Sequence, residues 1–205
     1  LLTSAETLTR SLPALGRRAG RDPPPDDAVV NPYALQAPTA PELAAHDVGI
    51  EVMLPPLQVA FDALAAAADF VLVEGVGGWD APLSKRLDQR DLVHALDLPV
   101  VLVVGLRLGC ISHARLTARA IYADGLQLLG WIGNAIDPEF GRSEDTVAIL
   151  DRCIPAPRIG LLPYRIAAPV HPALPTFAHP CPLETTSAHG AAELSDAGSC
   201  IPLFH

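Results

Sequence analysis

Four continuous apolar runs, spaced about thirty residues apart, limit what this chain can fold into more than any other feature. They are "FVLVE" from Phe70 to Glu74, "LPVVLVVGL" from Leu98 to Leu106, "LQLLGWIG" from Leu126 to Gly133, and "RIGLL" from Arg158 to Leu162. Each run is apolar without alternation, so each strand it forms must be covered on both faces. Between the runs the apolar residues recur at helical spacing, which predicts strands at 70–74, 99–105, 128–133 and 158–162, and helices near 88–96, 113–123 and 143–152. Strands alternating with helices define an α/β class: a doubly wound, mostly parallel sheet in a three-layer α/β/α arrangement. Ligands in such sheets bind beyond the carboxyl ends of the strands, where Glu74, the stretch from Gly105 to Ser112, and Asn134 all fall.

Upstream, "LQVAFDALAAAADF" follows Pro55 and Pro56 and predicts a helix with Val59, Phe61, Leu64 and Ala68 as core contacts. A short helix is expected from about Ala40. From Leu1 to Arg18 the residues favour helix but Pro13 interrupts them, and "RDPPPDDA" from Arg21 to Ala28 reads as an exposed loop. Beyond Pro163 periodicity is lost in a sequence rich in Pro, Ser and His. The expected organisation is one α/β domain over residues 1–165 and an irregular tail over 166–205.

Half of the 205 residues are apolar, enough for a full core, and the formal charge is −9. That balance, with no basic stripe, argues against a nucleic-acid partner. The longest apolar runs are about half the length of a membrane span and no signal peptide is visible, so a cytoplasmic protein is expected. Cys110, Cys153, Cys181 and Cys200 have neither CxxC nor zinc-ligand spacing and read as reduced thiols. The tail residues His171, His179, Cys181, His189 and Cys200 match no metal pattern either. The chain begins at Leu1 and its single methionine is Met53, so a preceding segment is expected.

The chemistry clusters at the predicted strand ends. Glu74, with Gly75, Gly77 and Gly78 after it, suits a hard cation such as Mg²⁺ held against phosphate oxygens, with a helix cap or surface ion pair as the plainer reading. After the second strand, Gly109, Cys110, Ile111 and Ser112 lead into a helix. Backbone N–H groups there could take an anion, and Ser112 equally suits a simple N-cap. Ser112 beside His113 lacks the geometry of a nucleophile elbow, and Cys110 reads as a small buried residue. Asn134 offers an amide matched to an adenine edge, or a turn. No GxxxxGK[ST] phosphate loop occurs, since Lys85 is the only lysine and follows Ser84.

Taken together, "NPYALQAPTAPELAA", "VLVEGVGGWDAPLS", "LPVVLVVGLRLGCISHARLTA", "GWIGNAIDP" and "IPAPRIGLLPY" closely resemble the ATP-dependent dethiobiotin synthetases, in the same order from about Pro13 to Arg165. The resemblance implies a P-loop-type fold, a homodimer, and use of ATP, CO₂ and diaminononanoate to close a urea ring. Glu74 matches the family's magnesium ligand, and Gly75, Val76 and Gly77 match its nucleotide-binding loop. Asn134, Ala135, Pro163, Tyr164 and Arg165 match positions around the adenine, and Gly109, Cys110, Ile111 and Ser112 match the segment reaching the substrate carboxylate across the dimer.

The match departs from the family at its start. The family's lysine-bearing phosphate loop has no counterpart in these residues, and Pro13 stands where a second metal-binding aspartate is expected. Asp22, Asp26 and Asp27 lie in the Pro-rich loop and read as solvated. The resulting expectation is a dethiobiotin synthetase by family whose 205 residues do not turn over alone. The alternatives are a non-catalytic dimer-forming or metabolite-binding remnant, or a related P-loop amidotransferase, against which "NPYA" and "GCISHARLTA" argue.

Overall fold

The computed structural model describes residues 26–68 and 70–164, together with the backbone of 199–204. Pro13, Asp22, Arg165, Cys181 and the tail histidines lie outside the described residues. The fold is a five-stranded parallel sheet in the order β1-β7-β4-β5-β6, with a separate two-stranded ribbon of β2 and β3. The strands are β1 Phe70–Glu74, β2 Pro82–Ser84, β3 Leu87–Asp88, β4 Val100–Leu106, β5 Leu128–Ala135, β6 Arg158–Leu162 and β7 Ser199–Phe204. The helices are α1 Asp27–Val30, α2 Pro41–Asp47, α3 Leu54–Ala65, α4 Gln89–Leu96, α5 Cys110–Ala123 and α6 Ser143–Cys153. The α/β class with a parallel sheet and flanking helices is therefore as the apolar runs require.

β4 is the best-buried strand: Val100, Leu102 and Leu106 are almost wholly enclosed, alongside Trp131 of β5, Ile121 of α5 and Leu150 of α6. These form the main core. A smaller apolar cluster of Ala45, Val52, Leu83, Leu87 and Leu92 gathers under the ribbon, with Tyr33, Leu35, Leu54 and Leu57 at its border. Tyr33, in the "NPYA" stretch, ties this region to α3: its hydroxyl accepts from the Met53 backbone N–H at 3.1 Å.

Several boundaries differ from the expected ones for local reasons. α3 starts at Leu54 and takes both prolines into its first turn, where a missing N–H costs nothing. Its apolar face is less covered than its periodicity suggests: Phe61 packs partly on the core, Leu64 and Ala68 are half-buried, and Val59 is 69% exposed. α5 starts three residues early because Gly109 adopts φ 92°, turning the chain directly into the helix at Cys110. Ser112 consequently sits in the first turn and is not the N-cap. β5 runs on to Ala135, so Asn134 belongs to the strand, paired with Gly105 on one side and Leu162 on the other.

The largest departure is β7. Within the stretch expected to be an irregular tail, Ser199–Phe204 forms a strand inside the sheet. Its run "CIPLF" is too short and too interrupted by proline to read as a strand from periodicity. It takes the position between β1 and β4, matching Phe70↔Ser199 through Glu74↔Leu203 on one side and Val101↔Leu203 and Leu102↔Phe204 on the other. No helix among the described residues is long and apolar enough to cross a membrane.

Candidate functional site

β1 carries Glu74 to the carboxyl edge of the sheet, half-buried, and the chain then turns sharply through Gly77 at φ 78° and Gly78 at φ 109°. Only glycine enters this region without strain. At Gly77 an added Cβ would also stand 3.1 Å from the Ala81 Cβ. The turn is anchored at several points. Gln89 Oε1 accepts from the Val76 N–H at 3.2 Å, and the Gln89 N–H donates to the Ala81 carbonyl at 2.9 Å. Trp79, buried, donates its Nε1–H to Asp124 Oδ2 at 2.7 Å, tying the loop to the C-terminal end of α5. Arg90 bridges Asp80 at 3.3 Å and Asp88 at 3.2 Å.

The start of α4 makes this anchoring possible. Asp88 and Asp91 form a reciprocal capping box, in which the Asp88 N–H donates to Asp91 Oδ2 at 2.8 Å. The box fixes the first residue of the helix, Gln89, whose side chain is 2% exposed and points back at the glycine turn. Sequence reasoning missed Gln89. A glutamine between two charged residues at a helix start reads as surface, and only the fold turns it inward.

The turn opens on a cleft of about 1330 Å³. Glu74, Gly75, Val76, Gly77, Gln89, Gly105, Cys110 and Asn134 all line it, so the ends of β1, β4 and β5 converge there. Gly105 leaves room for Ile136 to pack over the end of β4, since a Cβ there would come 2.6 Å from Ile136 Cδ1. Among the residues expected around an adenine, Asn134 faces the cleft, with Ala135 next along β5. Pro163 and Tyr164 follow β6 directly and are exposed, outside the lining set, while Arg165 is outside the described residues. The expected substrate-binding stretch is divided. Cys110 faces the main cleft, whereas Gly109, Ile111 and Ser112 line a shallower recess with Arg115, Leu116 and Arg119.

Glu74 contributes a single carboxylate, and no cluster of three or more His, Cys, Asp or Glu able to hold a metal occurs among the described residues. Such a donor set does not make an all-protein cage. It fits a magnesium ion whose remaining ligands are phosphate oxygens and water. Cys110 and Cys153 are free thiols, the first buried.

A parallel α/β sheet with its glycine turn and acidic strand end at the carboxyl edge places the chain among nucleotide-handling P-loop-type folds. In agreement, the family model described as an AAA domain matches residues 15–168. The chain is 60% identical over 152 residues to the ATP-dependent dethiobiotin synthetase BioD of Xanthomonas campestris, covering 74% of this chain and 68% of that one. It is 58% identical over 159 residues to that of Xanthomonas euvesicatoria, covering 78% and 71%, and 51% identical over 178 residues to that of Xylella fastidiosa, covering 83% and 79%. The chain belongs to the ATP-dependent dethiobiotin synthetase family.

Proposed function

We propose that the cleft at the ends of β1, β4 and β5 holds Mg–ATP for a dethiobiotin-forming ring closure in the cytoplasm. In that reaction one amine of diaminononanoate adds to CO₂ to give a carbamate, and a carbamate oxygen takes the γ-phosphoryl group, releasing ADP. The second amine then attacks the carbamoyl carbon, expels phosphate and closes the urea ring. The observation that carries the reading is the half-buried Glu74, delivered by a partly buried strand into a cleft shared with Asn134 in a chain of this family.

Glu74 would hold the metal, which when bound neutralises charge on the phosphoryl group being transferred. Gly75, Val76 and Gly77 would bring backbone close to the phosphates, and Asn134, Ala135 and Pro163 to Arg165 would surround the base. Gly109, Cys110, Ile111 and Ser112 would meet the substrate carboxylate. The recess that Gly109, Ile111 and Ser112 share with Arg115 and Arg119 carries the positive charge such a carboxylate needs. Its outward position supports a homodimer in which this recess reaches, across the interface, the carboxylate of substrate bound in the other copy's cleft.

A second reading is favoured by one further observation. These 205 residues contain no GxxxxGK[ST] loop, and Lys85 sits exposed in the turn between β2 and β3, outside the cleft lining. The 205 residues alone are then expected to bind without turning over. Incorporation of labelled CO₂ with diaminononanoate and Mg–ATP tests both readings. The first expects incorporation once a lysine-bearing phosphate-loop segment is joined to the chain and none from the 205 residues by themselves. Incorporation that stays absent with the added segment favours the non-catalytic, metabolite-binding reading.

A further inference from the structure

The Gln89 carboxamide is buried to 2% exposure yet lines the main cleft. Its two ends have unequal fates. Oε1 is committed to the Val76 N–H, which fixes which end of the amide is oxygen, because an N–H can only donate to an acceptor. Nε2 is thereby held as a double donor, and it meets no acceptor among the described residues. Trp131 Nε1 is the one fully enclosed side-chain polar atom without a partner among the described residues, so Nε2 keeps contact with the cleft, where a ligand or water completes it.

The position of that donor identifies what it suits. Gln89 reaches Val76, two residues from Glu74, so Nε2 stands beside the acidic strand end, within the same cleft. The Val76 N–H is not available to a ligand, because Gln89 already accepts from it. Gln89 therefore exchanges one backbone donor of the glycine turn for a side-chain donor set nearer α4. The Asp88–Asp91 capping box and the Gln89 N–H bond to Ala81 keep that donor in place.

We propose that Gln89 is a ligand-binding residue that donates through Nε2 to an anionic oxygen seated beside the 75–78 turn. The oxygen belongs either to a phosphoryl group or to a carboxylate or carbamate, which offer the same chemistry to a neutral donor. The inference deepens the nucleotide reading and rests on it only for the identity of the molecule that carries the oxygen.

The experiment follows the Gln89 side-chain NH₂ resonances of the full chain in ¹⁵N–¹H spectra. Inorganic phosphate, Mg with a non-hydrolysable ATP analogue, and diaminononanoate with bicarbonate are titrated separately. The expected result is a saturable shift of the Gln89 NH₂ pair with at least one probe, and the probe that produces it distinguishes a phosphoryl from a carbamate oxygen. Gln89→Glu at pH 8 keeps the acceptor for Val76 and replaces the donor with a carboxylate, so affinity for that probe should fall about tenfold or more, in line with loss of one bond to a charged group. Gln89→Met should lose the Val76 bond as well and weaken binding to at least the same degree.

The ATP analogue shifting other cleft residues but leaving the Gln89 pair unmoved would overturn the inference while the nucleotide reading stood. Phosphate moving the Gln89 pair while the ATP analogue binds nowhere would sustain the inference and remove the nucleotide reading. No shift at Gln89 with any probe overturns it outright, whether or not the variants fold.

Discussion

Glu74 and Trp79 stand on either side of the same glycine turn, and they test different things. Glu74→Gln keeps size and hydrogen-bonding capacity and removes the charge. On the magnesium reading, Mg–ATP affinity should drop about tenfold, or ~1.4 kcal/mol, while affinity for metal-free ATP changes little. Equal weakening with and without magnesium would remove Glu74 from the metal. Trp79→Phe keeps most of the buried ring and deletes the 2.7 Å bond to Asp124. Stability should fall by about 1–2 kcal/mol, measured by urea denaturation, through the lost bond and the ring-size change. Because Asp124 caps α5, the same variant should also loosen the turn, seen as faster amide exchange at Val76 and Gly77. The placement of Glu74 and Asn134 in the cleft was legible in the sequence, because both fall at the ends of apolar runs at the carboxyl edge of a parallel sheet. Gln89 was not, since its inward direction depends on where the Asp88–Asp91 box starts α4 relative to a turn thirteen residues earlier.

Among elements, α4 is the one on which the site most depends, for it carries Gln89 at its first position and packs Leu92 and Val93 inward. It is only eight residues long, a length at which a helix is marginal without caps. Asp88→Ala removes one half of the capping box and should cost about 1 kcal/mol. If α4 frays as a result, the Gln89 contact to Val76 should weaken with it, which amide exchange at Val76 would report. At the other end, Asp97 adopts φ 49°, left-handed backbone in a residue with a Cβ. Asp97→Gly should relieve this and raise stability by about 0.5–1 kcal/mol, visible as a higher denaturation midpoint. The strands β1, β4, β5 and β6 were readable because each is an apolar run, although the two-sided cover expected of such runs is met along β4 and not at β6, where Ile159, Leu161 and Leu162 are exposed. The start of α5 was not, because it is decided by the positive φ of Gly109, and the β2–β3 ribbon was not, because Pro82–Ser84 and Leu87–Asp88 are too short to show alternation.

For the whole molecule, the question is what holds β1 to the rest of the sheet. β1 pairs with β7 from Phe70↔Ser199 to Glu74↔Leu203, and β7 in turn meets β4 only at Val101↔Leu203 and Leu102↔Phe204. The Glu74 side of the cleft thus reaches the Asn134 side, within the sheet, through a strand from the far end of the chain. That strand is imperfect. Pro202 lies opposite Val73 in the interior of the sheet, where proline is ordinarily excluded because it cannot donate to the ladder. Deleting residues 199–205 should leave the β4-β5-β6 unit protected while exposing the amides of Val71 to Glu74. Hydrogen exchange read by mass spectrometry should therefore show loss of protection confined to β1 and the turn after it, with a greater tendency to aggregate through the opened strand edges. Pro202→Val runs the other way: a restored donor and a better strand former should add about 0.5–1.5 kcal/mol, or roughly 2–4 °C in Tm per kcal/mol for a chain of this size. Protection of β1 should rise with it, and because β1 carries Glu74, affinity for Mg–ATP should rise or hold. Unchanged β1 exchange in both variants would mean that residues 199–204 do not bind β1 in solution, and the two sides of the cleft would then be joined through α3, α4 and the anchored turn alone.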